Sequence, residues 1–527
     1  MAAADVPVPA ARRFPFWRAE SGFFIGLWLF FLSAGRSKLF QDAGTFWHTI
    51  VGERMFASGE LIYTDPFTFT FAGRHWIGHQ WLGEVLMGLL HRLDGLDTLL
   101  LFTATLLAGL YTWVAHRFLR AGLHWSLTAF IVVAVVSASA GHFHIRPHLA
   151  TIVFVAVTMG YLIDLEAGRI GLLRMLGLIP IYLLWSNIHG GALGGLATMV
   201  IALAGWSAAW LVRRTPPAPR QLLGFAALIG ACGLTFFITP YGTLIFRTWL
   251  AIMESETLTR IIIEHRPLNL ENPDGQVVVG IALVYVVALL STLPRWPRVV
   301  WLLPLVWLVL AWTRVRHAPL FAAAAALGLA DMLPFTRFAT WATRIGSDLY
   351  QPPEADAPQA FDWRPALLPV ALVAVALGLQ QARVAVPVIG HGWAQLDPTI
   401  WPIELLDDLR QHQTTQPDGT PIFNEYHFGG FLIYHAPGFR VFVDDRCELY
   451  RTPEEQYRDE WLDRFVAAEG KDTATAIRSW ENDYGRFNFA LVRSRAVGEP
   501  GFDAYFSTSP EWAVVKRTNT ATLYQRK

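Results

Sequence analysis

The chain has 527 residues, is 53% hydrophobic, only 16% charged, and carries no formal net charge. A soluble protein carries roughly a quarter charged residues, and there is no basic stripe or tail, so a soluble enzyme and a nucleic-acid binder are both excluded. Apolar runs of membrane-spanning length recur through the first three quarters of the chain, which predicts a polytopic membrane protein.

In chain order, a polar N-terminal tail (1–20) with Arg12, Arg13 and Arg18 precedes the first span. No convincing small-residue cleavage site follows that span, so it reads as retained. About eleven spans are expected, at 21–38, 96–116, 124–141, 149–165, 170–187, 190–212, 221–240, 276–293, 298–313, 317–334 and 365–381. With the N-terminus in the cytoplasm, alternate loops carry Arg117 and Arg120, Arg169 and Arg174, Arg213, Arg214 and Arg220, Arg295 and Arg298, and Arg337 and Arg344. Arg36 and Lys38 are the exceptions. This is the positive-inside pattern, and it sends a polar C-terminal region outside. Of 16 histidines, all but His116 and His124 then fall on the outer side. That one-sidedness points to polar chemistry at the outer face. Of the two cysteines, Cys232 lies in an apolar run and Cys447 in the polar region, so no disulfide is expected between them.

The first outer loop (38–95) is too long for a connector. It opens with "LFQDAGTFWHTIVGERM", in which Phe46, Ile50, Val51, Met55 and Phe56 share a helical face and predict an amphipathic helix lying in the membrane interface. "TDPFTFTFAGRHW" reads as extended chain with turns at Asp65-Pro66 and Ala72-Gly73. "IGHQWLGEVLMGLLHRL", which carries His79 and Glu84, reads as a second amphipathic helix running into the second span. Between the third and fourth spans, "GHFHIRPHLA" sets His142, His144, Arg146 and His148 at alternate positions, on one side if extended. Such a set suits a metal through imidazoles or a phosphate through Arg146; an interfacial turn is the plainer reading. "WSNIHGGALGG" puts Asn187 and His189 at a helix break. Glu264, His265 and Arg266 lie in the long loop 241–275, and Arg314, Arg316 and His317 at the outer end of the tenth span. Cations there call for a partner, and Arg314 and Arg316, with His317, are the expected phosphate contacts.

From about residue 395 to 527 the composition becomes that of a soluble domain. "TPIFNEY", "FRVFVDDR" and "RFNFALVR" predict short strands, 453–468 and 472–482 predict helices, and "WAVVKRTNTATLYQRK" predicts a closing hairpin at Thr518-Asn519. The expectation is a small α/β domain with a mainly parallel sheet. Glu425, Asp444, Asp445 and Arg446 sit at strand ends, where open α/β sheets bind ligands.

An acidic residue straight after the first span, an interfacial helix, a Pro-containing extended stretch and a second helix resemble the first outer loop of GT-C glycosyltransferases, such as protein mannosyltransferases and lipid A aminoarabinose transferases. The motifs "D…FWH…G", "TDPFTFTFAGRHWIGHQWLGE", "WSNIHGG" and "RHAPLFA" resemble more closely a bacterial branch of that fold and run through the whole membrane part (21–385). "NEYHFGGFLIYH" distantly echoes the aromatic-Asp-Tyr-Gly stretch of oligosaccharyltransferases. Ala43 stands where the family's second acidic residue would follow Asp42. The resemblance implies an α-helical GT-C-like membrane domain with a small outer α/β domain, in a bacterial inner membrane. It implies transfer of a sugar from a polyprenyl-phosphate donor to an envelope glycan, lipid or protein, with a divalent metal ion as the candidate cofactor. Asp42 matches the active-site acid by position and is the expected base, with His48 beside it and Asp65 as a further candidate; capping of the following helix is the alternative role for Asp42. A non-catalytic envelope-binding descendant and a transporter or lipid flippase are the rival readings.

Overall fold

The computed structural model describes residues 18–213, 218–255, 262–353, 363–450, 460–470, 472–496 and 498–527. Arg12, Arg13, Arg214, most of the N-terminal tail and the start of the helix expected at 453–468 lie outside them.

The membrane part is all helical. Helix α1 (Ala19–Lys38) leads to the outer-loop helices α2 (Gly44–Ser58) and α3 (Trp81–Asp94), then α4 (Leu96–Arg120), α5 (Trp125–Ser139) and α6 (Leu149–Glu166). Of these, α4, α5 with its extension to His142, and α6 are long and apolar enough to cross a membrane, as are Ala192–Arg213, Pro219–Phe237, Pro273–Ser291, Val315–Phe335 and Arg364–Gln381, while Leu172–Ile188 and Val299–Thr313 are shorter apolar helices. Each expected span coincides with one of these helices, because an apolar run in lipid must satisfy its backbone internally. The chain is a multi-pass membrane protein.

The C-terminal residues form a five-stranded sheet in the order β2-β1-β3-β5-β4, with β1 Thr420–Asn424, β2 Phe439–Val441, β3 Phe489–Arg493, β4 Trp512–Arg517 and β5 Ala521–Arg526. β1 pairs in parallel with β2 and β3. β5 is antiparallel to both β3 and β4. The sheet is therefore evenly mixed, not mainly parallel: the tight turn of the closing hairpin forces an antiparallel pair, and β5 is the strand that docks on β3.

The outer loop departs from its expected position in the interface. α2 buries Gly44 to Thr49, Val51, Gly52 and Met55, and it packs between α3 and the helix Gly429–His435 of the C-terminal unit. Phe46 stacks edge-on against Trp401 with ring centres 5.0 Å apart. Phe71 does the same against Tyr450 and Trp461. Thr68 bridges to Val441 on the free edge of β2, and Phe69 N–H donates to the Val441 carbonyl at 3.1 Å. The loop and the C-terminal unit thus share one apolar core, separate from that of the spans. Phe46, which made α2 look interfacial, finds a drier place against Trp401 and Phe431, where its full area leaves water, while Phe56 stays exposed. α3 keeps Leu86, Leu89 and Leu93 exposed, so it retains an apolar face toward lipid.

Candidate active site

The site begins where the chain leaves α1. Asp42 Oδ1 accepts the Gly44 N–H at 2.7 Å, and Asp42 Oδ2 accepts from Arg146 Nη1 at 3.0 Å. A methyl group on Gly44 would lie 2.7 Å from Asp42 Oδ1 and 2.8 Å from Arg146 Nε, so the close approach of this ion pair requires glycine. Gly430 has the same meaning on the other side: a Cβ there would meet the Ala43 carbonyl oxygen at 2.2 Å. The C-terminal unit presses directly on the Asp42 turn.

Arg146, the partner of Asp42, lines a cavity of about 370 Å³ between the span ends, the outer loop and the C-terminal unit, and Asp42 itself is not among the lining residues. In the segment before α6, Phe143 and Ile145 are buried in the apolar core, while His142, Arg146 and His148 line the cavity. His144 stands 4.0 Å from Glu264. His148 Nε2 donates to the His142 carbonyl at 2.9 Å, and burial, opposed by Glu264 and reinforced by Arg146, holds His148 down at about 4. His189 accepts the Gly191 N–H at Nδ1, at 3.0 Å, and the Thr151 hydroxyl at 2.8 Å. Two donors at Nδ1 leave the ring proton on Nε2. Burial, His148 and Arg316 keep this imidazole neutral.

Burial alone would raise the Glu264 carboxyl, but Arg146 and the imidazoles of His148, His142 and His144 outweigh it and hold it below the usual carboxylate range. Arg316 Nη1 donates to His265 Nε2 at 2.8 Å, and burial with Arg316 and Arg314 pushes His265 down to about 3. His317 also lines the cavity and donates from Nδ1 to the Leu310 carbonyl at 3.1 Å. Arg314, expected beside it, does not line the cavity.

The C-terminal unit contributes Asp445, Cys447 and Glu448 to the same wall. Asp445 Oδ1 is buried and has no hydrogen-bond partner among the described residues. Burial, with Asp42 nearby and only partly offset by Arg146, raises this carboxyl to about 7. Glu448 accepts from Trp76 Nε1 at 2.9 Å and lies 3.8 Å from His79. Glu448, Cys447, Gln80 and Trp249 are lining residues that the sequence did not single out. The one available signal was that Cys447 and Glu448 follow Asp444, Asp445 and Arg446 in the segment after β2.

Several expected site residues lie elsewhere. His48 Nδ1 pairs with Glu84 Oε1 at 2.9 Å between α2 and α3, both wholly buried and neither lining the cavity. Burial drives the imidazole down and the carboxyl up, and the pair ties α2 to α3 behind the wall. Asp65 and Asp444 both pair with Arg446 Nη2 at 2.6 Å, all three fully buried, with the guanidinium 4.6 Å over the Trp76 ring. They clamp the outer loop to the sheet. Glu425 accepts the Arg493 N–H at 2.9 Å and pairs with its guanidinium at 3.2 Å, away from the cavity. Asn187 accepts from Trp81 Nε1 at 2.8 Å and donates to the carbonyls of Leu183 and Ile238. It lines an open, mainly apolar groove of about 740 Å³ formed by Trp81, Leu183, Leu184, Phe237 and Ile238. Trp81 adjoins the cavity residue Gln80 in the chain and Asn187 lies two residues from His189, though groove and cavity share no lining residue.

Asp42, His144 and Glu264 present ligand atoms all within 4.8 Å of one another, and His144 Nδ1 is buried without a partner. Two carboxylates and an imidazole are a donor set for a hard or borderline divalent cation.

No family model and no curated protein matches the chain. Among solved structures it is similar to the Archaeoglobus fulgidus oligosaccharyltransferase tethered with an acceptor peptide containing the NVT sequon, with a TM-score of 0.55, 11% identity, and cover of 90% of this chain and 69% of that one. ArnT from Cupriavidus metallidurans bound to undecaprenyl phosphate gives a TM-score of 0.45 at 14% identity, covering 95% of this chain and 97% of that one. Arabinofuranosyltransferase AftD from Mycobacteria gives 0.45 at 14% identity, covering 96% and 39%. The fold is that of the GT-C glycosyltransferases.

Proposed function

We propose that this GT-C-fold chain is a membrane glycosyltransferase that moves a sugar from a polyprenyl-phosphate donor to an acceptor on the outer face of a bacterial inner membrane, with the N-terminus in the cytoplasm. The observation that carries this reading is the cavity itself. It gathers Arg146, Arg316, Glu264, Asp445 and several imidazoles, with Asp42 paired to Arg146, and an apolar groove is lined by Trp81 and Asn187, close in the chain to the cavity residues Gln80 and His189. A polar pocket with an apolar groove formed by neighbouring chain positions suits a charged head on a long apolar tail.

Transfer from such a donor needs positive charge on the leaving phosphate and a base for the acceptor hydroxyl. Arg316 suits the phosphate, because its guanidinium is bonded to an imidazole that burial keeps uncharged. Arg146 contributes at the other side. Asp42, the expected base, has both oxygens engaged, and we assign it to the donor side of the site. The carboxylates of Asp42, Glu264 and Glu448 at least match the two guanidinium charges, so an anionic head gains little from the pocket unless a further cation joins it. Asp42, His144 and Glu264 would hold a divalent metal ion, which would supply that charge at the phosphate.

The test is turnover of a panel of polyprenyl-phosphate sugars by the full chain in lipid nanodiscs, with donor binding measured alongside. Asp42→Asn is expected to reduce turnover by about 100-fold or more and to weaken donor binding, and chelation by EDTA is expected to weaken both. If the wild type neither binds nor turns over any donor, the reading fails. Donor moved between leaflets of sealed vesicles, with no sugar transferred, would favour a flippase.

A further inference from the structure

We propose that Asp445, supplied by the C-terminal unit, is the catalytic base that takes the hydrogen of the acceptor hydroxyl; this rests on the glycosyltransferase reading above. Among the acidic residues that line the cavity it is the one with a fully buried oxygen left without a hydrogen bond among the described residues. Asp42 is committed to Arg146 and to the Gly44 N–H. Glu448 accepts from Trp76. Glu264 faces His144 and belongs to the set that would hold a cation. Asp445 Oδ1, in contrast, is buried without a donor among the described residues. A buried acceptor left unpaired is costly, and the open side of this residue is the cavity, so the missing donor comes from what the cavity binds.

The neighbours of Asp445 show that it is held in place. Asp444 and Arg446 on either side are locked together and to Asp65, and Cys447 Sγ lies 2.7 Å from the Tyr426 hydroxyl. A carboxylate pinned at both neighbours with one oxygen unused is preorganised for a ligand, since its geometry is fixed before the acceptor arrives. The groups facing it are Asp42 from the turn after α1, Arg146 from the segment before α6, Asp444 beside it, and the indole N–H of Trp47 from α2, which is itself buried without a hydrogen-bond partner among the described residues. A hydroxyl that donates to Asp445 therefore lies on the C-terminal side of the donor head, across from Arg146. In the transfer, the acceptor oxygen bonds to the anomeric carbon as its proton passes to Asp445. The bond from the anomeric carbon to the phosphate oxygen breaks, and its electron pair leaves with polyprenyl phosphate. The proton then passes to solvent or to the released phosphate.

The experiment compares wild type, Asp445→Asn and Asp445→Glu in nanodiscs, with sodium azide as an alternative nucleophile that has no proton to lose. Asp445→Asn is expected to lower kcat by about 100-fold with donor KM within about threefold, Asp445→Glu to recover part of it, and azide to restore donor cleavage to Asp445→Asn, giving the glycosyl azide, but not to Asp42→Asn. A merely structural role for Asp445 would not produce azide rescue. If the wild type turns over donor and Asp445→Asn keeps a kcat within threefold of it, or if azide fails to rescue a variant that still binds donor, the inference falls while the glycosyltransferase reading stands. If the wild type turns over no donor, both fall together.

Discussion

Two charged clusters join the outer loop to the C-terminal unit, and they differ in how far their bonds are completed. In the first, Arg446 holds Asp444 and Asp65 with no exposed side-chain surface, stacked on Trp76 and Phe67. In the second, Arg146, Glu264 and Asp445 line open volume, with Asp42 paired to Arg146, and polar atoms of Asp445 and His144 have no partner among the described residues. Residue types and charges are nearly the same in both. A cluster whose carboxylate oxygens are all bonded and which does not line the cavity is a clamp, even with Arg446 Nη1 left unpaired among the described residues, whereas one that keeps unpaired atoms beside a cavity is arranged for a ligand. The difference lies in hydrogen-bond completion, not in composition.

The largest effect is expected in the clamp. Arg446→Ala leaves two buried carboxylates facing each other, at a cost of about 3–5 kcal/mol. A lower unfolding temperature and faster proteolysis of the C-terminal unit should accompany loss of turnover. If the variant were as stable as wild type and merely slow, Arg446 would belong with the site and the contrast would fail. A smaller effect is expected at the contact between the unit and the site. Gly430→Leu forces a side chain against the Ala43 carbonyl, so the Asp42 turn shifts and kcat should fall by about 10- to 100-fold, more than donor binding does. An unchanged kcat would mean that this contact does not set the geometry of Asp42. The smallest is expected at Glu425→Gln. Its partner Arg493 is 55% exposed, and a glutamine oxygen can still accept the Arg493 N–H, so turnover should stay within about twofold and stability within about 1 kcal/mol. A large loss of turnover there would extend the site beyond the cavity.

Part of this contrast was legible in the sequence. Arg146, His148, Glu264, Arg316 and His317 were singled out because cations and imidazoles at outer span ends are expensive without a role, and all five line the cavity. His48, Asp65, Asp444, Arg446 and Asn187 were singled out by the same chemistry, yet each is spent on a structural contact. Sequence gives the type of a polar group and its distance along the chain. Whether its bonds are already satisfied depends on partners such as Asp65 and Arg446, which lie 381 positions apart. Glu448 and Gln80 were missed for the converse reason: nothing in their local pattern marks them, and they reach the cavity only because the C-terminal unit docks on the outer loop.

The sequence by itself determined the helical membrane part, the positions of its spans and the mixed C-terminal unit. These rest on local apolar length, period and turn chemistry, which neighbouring residues carry. The tertiary structure alone decided that α2 is buried against Trp401 instead of resting on the membrane, that β5 docks on β3, and that Asp445 meets Asp42 and Arg146 across the cavity. Those outcomes follow from burying aromatic area and satisfying charges between segments far apart in the chain, and such long-range pairings leave no local signature.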